Sequence, residues 1–207
     1  MISGYRPLIK CLITRGTLTD KNLKRQMPDL ITDAEMAISS GANFIQIREK
    51  ALSAANLMNV TRALIRTSCK RAKILVNGRL DVALASGADG IHLPEDSFRV
   101  EEVRKRVPED FLISVSTHSS MSVDHARVNG ADIAFFAPVF NSGGKSGVGL
   151  AALKRSVEVS GKMELVALGG IDASNVRDVI DAGANGFAAI RAMTDSEFLK
   201  GLGELKW

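Results

Sequence analysis

Short apolar runs alternate along the whole chain with longer segments whose apolar residues recur every three or four positions. Eight runs, at 8–13, 44–48, 74–77, 90–93, 112–116, 133–138, 165–168 and 186–190, predict strands. The segments 33–40, 54–71, 79–86, 100–107, 120–129, 150–160, 174–182 and 195–205 predict helices. Strands this apolar on both faces belong to a parallel sheet covered by helices. Eight strand–helix units in 207 residues then predict one (β/α)8 TIM barrel spanning 1–207, with an open doubly wound sheet as the alternative.

Four turns repeat nearly the same words: SGANFI at 40–45, SGADGI at 86–91, NGADIA at 129–134 and AGANGF at 182–187. Each lies between a helical segment and an apolar run. The glycine reads as a helix C-cap and the following Asn or Asp as the lead into the next strand.

Charge changes this picture little. A net charge of +4 is spread over the chain, and with one Trp and one Tyr there is no basic stripe with aromatic platforms, so small anionic ligands are expected rather than nucleic acid. The first residues, MISGYRPLIKCLITRG, hold only a short apolar stretch broken by Lys10, so neither a signal peptide nor a membrane span is expected, and the cytoplasm is the expected compartment. Cys11 and Cys69, with no CxxC, read as two reduced thiols. A homo-oligomer is compatible with this composition.

Barrel chemistry is built at the C-terminal ends of the strands. After the second strand comes QIREK, in which Gln46, Arg48 and Lys50 share one face of an extended segment and would bring two cations and an amide to the mouth. The seventh unit ends in VALGGIDASNV, where Gly169 and Gly170 suit close approach of backbone to a phosphate and Asp172 to Asn175 start a helix whose N–H groups favour anions. Backbone N–H groups at Ile190 and Arg191, after the eighth strand, complete the expected phosphate cradle. The loop FNSGGKSGVGL carries Lys145 at its centre as a lid cation. It is no Walker A loop, because the first glycine of that motif would fall at Val139. Of the three histidines, His125 lies on a helix and His92 within a strand, while His118 stands just past the fifth strand, where a group titrating near neutrality can move a proton.

Taken in order, IQIREK, LVNGRLDVAL, GADGIHLP, SVSTH, the PVF…K.G.GL loop and ALGGI resemble the thiamin phosphate synthase and TenI superfamily of small barrels, from Phe44 to Met193. Residues 14–28 match poorly. In the synthases, the resemblance implies, a thiazole phosphate displaces pyrophosphate from a pyrimidine pyrophosphate with Mg2+ held by carboxylates of an Asn-Asp-Asp and a Gly-Gln-x-Asp segment. Those positions here are Asn77-Gly78-Arg79 and a segment whose last carboxylate falls on Ser97, one residue past Asp96. Asn77-Gly78-Arg79 with Leu93, Pro94, Ser97 and Phe98 instead looks like the TenI branch, similar to thiazole tautomerases, which aromatise a carboxythiazole phosphate by proton transfer and need no metal. The expectation is therefore a tautomerase with His118 as proton shuttle, Gln46, Arg48, Lys50, Asn77, Arg79 and Lys145 on the substrate, the Gly169, Gly170, Ile190 and Arg191 cradle on its phosphate, and no cofactor. The alternatives are thiamin phosphate synthase, with Mg2+, and a non-catalytic phosphate-binding barrel. A sugar-phosphate isomerase would need Glu49 and Asp96 to converge.

Overall fold

The computed structural model describes residues 7–204. Eight parallel strands close into a barrel in chain order: β1 (Ile9–Ile13), β2 (Phe44–Ile47), β3 (Lys73–Asn77), β4 (Gly90–Leu93), β5 (Leu112–Thr117), β6 (Ile133–Phe136), β7 (Glu164–Leu168) and β8 (Gly186–Ala189). The helices between and after them are α1 (Leu23–Ser39), α2 (Ala54–Ser68), α3 (Leu80–Ser86), α4 (Val100–Arg104), α5 (Ser120–Val128), α6 (Gly149–Ser160), α7 (Val176–Asp181) and α8 (Ser196–Glu204). This is the expected (β/α)8 barrel and not the open sheet. Because side chains alternate across a strand, one set, including Ile9, Cys11, Ile13, Leu75, Ile133, Phe135, Val166 and Ala188, packs inside the barrel. The other set, including Ile45, Ile74, Ile91, Ile113 and Leu165, packs under the helices in the larger core.

The repeated turns have a common structure. Gly41, Gly87, Gly130 and Gly183 all have φ between +73° and +95°, the left-handed conformation glycine adopts without strain. The alanine after each donates its N–H five residues back, to Ala37, Ala83, Ala126 and Val179, closing the helix end in a Schellman motif. The Asn or Asp then reaches the strand before the helix. Asn43 accepts the backbone N–H of Lys10 at 2.9 Å, Asp89 that of Ile74 at 2.9 Å, Asp132 that of Ile113 at 2.7 Å and Asn185 that of Leu165 at 2.7 Å. The repeat thus ties down the starts of β1, β3, β5 and β7, supplying an acceptor to an N–H that would otherwise be unpaired at the barrel's lower rim.

Several boundaries differ from the sequence expectation. Helix α1 begins at Leu23 rather than 33, running through Pro28; the carbonyl that Pro28 leaves without an N–H partner belongs to Lys24, an exposed residue. Helix α2 stops at Ser68 because Cys69 and Lys70 turn left-handed, with φ of 46° and 62°. Helix α4 ends at Arg104, whose guanidinium turns back to the carbonyls of Phe111 and Gly130 and to Asp132. The expectations for residues 1–6, for the end of the last helix at residue 205 and for a domain reaching 207 lie partly outside the described residues. Among the described residues no helix is long and apolar enough to cross a membrane.

Candidate active site

At the C-terminal mouth the barrel interior turns from apolar to polar. Gln46 is buried there at 2% exposure and donates from Nε2 to Asn77 Oδ1 at 3.3 Å, so these two expected contacts share one hydrogen bond. Arg48 continues the same face. It is half-buried, its backbone N–H bonds Thr14 Oγ1 at 2.8 Å, and its guanidinium lies beside Gly16, where an added Cβ would stand 3.4 Å from Nη1. Lys50 lies in the turn beyond the strand and is exposed.

Glu49, between them, faces the other way. It is buried at 3% exposure and accepts the backbone N–H groups of Gly16 at 2.9 Å and Leu18 at 2.8 Å, which pins the loop after β1. It is therefore a loop anchor and does not converge with the exposed Asp96, as a sugar-phosphate isomerase would require. The i, i+2 alternation along QIREK already separates Glu49 from Arg48.

Arg79 caps α3 and is held by Asp81, Nε to Oδ1 at 2.9 Å and Nη2 to Oδ2 at 2.6 Å. This bidentate pair, mainly through its hydrogen bonds, raises the guanidinium's pKa and lowers that of the carboxylate. The expected substrate cation is thus already partnered by a residue two positions on.

His92 and its neighbours were not anticipated as a unit. The register pairs Asn77 with His92 and His92 with Ser114, so the three stand at one level. The ring is 4% exposed, with Nδ1 3.0 Å from Ser114 Oγ and Nε2 2.9 Å from Ser116 Oγ, and its edge packs on Phe135. Burial first, and the charge of Arg48 second, push its pKa down to about 3, so His92 is neutral near pH 7.

His118 sits just past β5, as expected. Its Nδ1 bonds the carbonyl of Ala137 and its Nε2 lies 3.2 Å from Glu95 Oε2. Both ring nitrogens therefore face oxygen atoms that can only accept. Glu95, from the loop after β4, had not been singled out.

On the far side, Gly169 and Gly170 have φ of +99° and +67°. A Cβ on Gly169 would lie 2.8 Å from Pro138 Cα, and one on Gly170 2.7 Å from Asn141 O. The close approach these glycines permit is thus to the loop after β6. The helix expected from residue 174 begins at Val176: Asp172 accepts from the N–H and hydroxyl of Ser174 at 2.9 and 2.6 Å, and Asn175 bridges the N–H of Asp172 and the carbonyl of Gly170. A carboxylate therefore occupies the turn where free N–H groups had been expected. Lys145 closes a tight turn with Ser142, and Lys145, Asn141, Ser142 and Arg191 line a shallow depression of about 380 Å³. Ile190 is half-buried just past the end of β8.

A family model described as thiamine monophosphate synthase matches residues 17–193. The chain belongs to the thiamine monophosphate synthase family. The match reaches into the 14–28 segment, from which the motif resemblance carried nothing. A thiamine-phosphate synthase of Methanoculleus marisnigri is 43% identical over 165 residues, covering 77% of this chain and 78% of the relative. One from Chlorobium phaeovibrioides is 37% identical over 199 residues, covering 94% and 90%. Among solved structures, thiamine phosphate pyrophosphorylase from Pyrococcus furiosus aligns with TM-score 0.79 and 30% identity over 95% of this chain and 96% of that one. The first two relatives carry the synthase description and the Pyrococcus structure that of a pyrophosphorylase, and the preference for the TenI branch draws no support from them.

The family resemblance implies magnesium, and the donor set here does not fit it. Gly78, Arg79 and Ser97 stand where the resemblance places carboxylates, Glu49 faces away, Glu95 is engaged by His118, and the exposed Asp96 lies one residue short of the Ser97 position. Among the described residues no group of three or more His, Cys, Asp and Glu is placed to hold a metal ion.

Proposed function

We propose that this chain catalyses the thiamine-phosphate synthase reaction between a pyrimidine pyrophosphate and a thiazole phosphate. The observation that carries the reading is a mouth with two separate cationic groups: Arg48, Lys50 and Arg79 after β2 and β3, and Lys145 and Arg191 after β6 and β8. In a closed eight-stranded barrel β2 and β6 lie four strands apart, on opposite sides. Two anionic substrates can then meet over the polar floor of Gln46, Asn77, His92 and Ser116 with their charges held apart. The synthase description of the relatives supports the same assignment.

In this reaction the thiazole nitrogen forms a bond to the methylene carbon of the pyrimidine while the bond from that carbon to pyrophosphate breaks, the electron pair leaving with the pyrophosphate. No proton has to move. The protein's part is to align the two rings and to stabilise the departing charge. Among the described residues no carboxylate pairs with Arg48, which supplies a positive charge, whereas Arg79 contributes only by sharing or exchanging Asp81.

One observation favours a second reading, thiazole tautomerase. Arg79 replaces a metal carboxylate, and His118, held between Ala137 and Glu95, has the position of a proton shuttle for a metal-free isomerisation. Incubation with both synthase substrates, in magnesium and then in EDTA, with thiamin phosphate followed as its fluorescent oxidation product, tests the first reading. Enzyme-like turnover supports the synthase. Folded protein that makes no product but isomerises the dihydrothiazole, and loses that activity as His118→Asn, replaces it with the tautomerase.

A further inference from the structure

His92 is a buried titratable group that neither chemistry above uses, and its hydrogen bonds run in one direction only. Ser114 is fully buried and its hydroxyl lies 3.1 Å from the carbonyl oxygen of Ile91, which can only accept. A serine has one hydroxyl proton, so with that proton on Ile91 the Ser114 oxygen can only accept from His92 Nδ1, 3.0 Å away. Nδ1 therefore carries a hydrogen. The ring is neutral near pH 7, so Nε2 is left with a lone pair. Ser116 Oγ, at 2.9 Å, must then donate to it.

We propose that Ser114, acting through the tautomer of His92, fixes the hydroxyl of Ser116 so that Ser116 offers only lone pairs to the barrel mouth and accepts a hydrogen bond from a substrate N–H or O–H. Ser114 and His92 are positioning residues; Ser116 is the group that touches the ligand. Two features hold the chain in register. Ser114 and Ser116 are two apart on β5 and share the interior face, and the edge-on contact with Phe135, at 5.0 Å between ring centroids and 84° between planes, fixes the imidazole. The arrangement is not an activated nucleophile. His92 has a hydroxyl rather than a carboxylate on Nδ1, and a base titrating near 3 takes a serine proton poorly.

The activity consequence rests on the proposed function, whereas the tautomer does not, so the two are tested separately. Long-range 1H–15N correlation at pH 7, with His92→Gln to assign the ring signal, should show His92 as the Nδ1–H tautomer in the wild type. In Ser114→Ala the Nδ1 acceptor is lost, and the ring should shift toward Nε2–H with Ser116 now accepting. Ser114→Thr, which returns the hydroxyl, should restore the wild-type pattern; if it does not fold, the alanine comparison stands alone. In the synthase assay Ser114→Ala should raise one substrate's KM about tenfold with kcat changed less, as expected for one misdirected hydrogen bond. A wild-type ring in the Nε2–H or doubly protonated form overturns the proposal, as does a Ser114→Ala protein with unchanged tautomer. Absence of turnover with either substrate pair sinks the functional assignment and leaves the tautomer result to decide this one.

Discussion

Asp132 Oδ2 lies 2.7 Å from the backbone nitrogen of Ile113, and the same oxygen receives Arg104 Nη2 at 2.5 Å. One carboxylate thus satisfies the N–H of Ile113, the second residue of β5, and docks the end of α4. Replacing it with alanine leaves an N–H of a buried residue unpaired, which should cost about 1–3 kcal/mol in urea unfolding. Asp132→Asn should cost less, because Asn43 and Asn185 make the same backbone bond in their own turns. Equal losses for the two variants would assign the effect to the Arg104 ion pair.

Gly170→Ala should destabilise the protein by more than about 1 kcal/mol, since its φ is +67° and the new Cβ would meet Asn141 O and Phe140 Cβ at 2.7 and 2.8 Å. The loop that must yield carries Lys145. Thermal unfolding and phosphate-ligand affinity should therefore fall together, and a loss of affinity without a loss of stability would contradict this account.

The buried ring of His92 gives a stability dependence on pH of defined sign. Its pKa falls from 6.5 to about 3 on folding, so between these values the unfolded chain binds a proton that the folded chain does not. This contribution is absent above about pH 6.5 and destabilises progressively as pH falls toward 3, on the order of 5 kcal/mol in total. Subtracting the pH–stability curve of His92→Gln from that of the wild type isolates it, and a flat difference would mean that folding leaves the ring's pKa unchanged.

Arg48 and Lys145 serve different anions in the proposed reaction. Arg48→Ala should raise KM for the pyrimidine pyrophosphate about tenfold or more, and Lys145→Ala should act chiefly on the thiazole phosphate. Steady-state kinetics with each substrate varied in turn would show the split. If both variants weaken the same substrate, the two-sided arrangement is wrong.

Cys11 is fully buried inside the barrel, where burial raises its thiol pKa, whereas Cys69 is exposed at the end of α2. A disulfide-exchange reagent should titrate one thiol in the native protein and the second only on unfolding. Rapid reaction of both would mean that the barrel interior opens readily.

The glycine in each repeated turn was legible because a helix end and its cap are neighbours in sequence. The partner of the next residue was not. Asn43, Asp89, Asp132 and Asn185 bond backbone groups 33, 15, 19 and 20 positions upstream, and local spacing carries no sign of them. The same distinction runs through the site. The strand-end positions of Arg48, His118 and Lys145 followed from the alternation of elements. The clash that makes Gly169 and Gly170 necessary involves a loop about thirty residues away, so a glycine pair suited to a ligand and one suited to a neighbouring loop look alike in sequence.

The sequence by itself determined a parallel sheet covered by helices, since runs apolar on both faces, separated by helical segments, have few other ways to bury both surfaces; closure of that sheet into a barrel belongs to the tertiary structure. It also determined which residues stand at the mouth, because strand order and alternation place them there. Only the tertiary structure decided which of those residues spend their hydrogen bonds on one another. Arg79 is taken by Asp81, Glu49 by the loop after β1, and His92 by two serines of the next strand, whose direction of donation follows from Ile91. Hydrogen bonds are decided over a few ångströms and tautomers by burial, and both depend on chain segments that only closure of the barrel brings together.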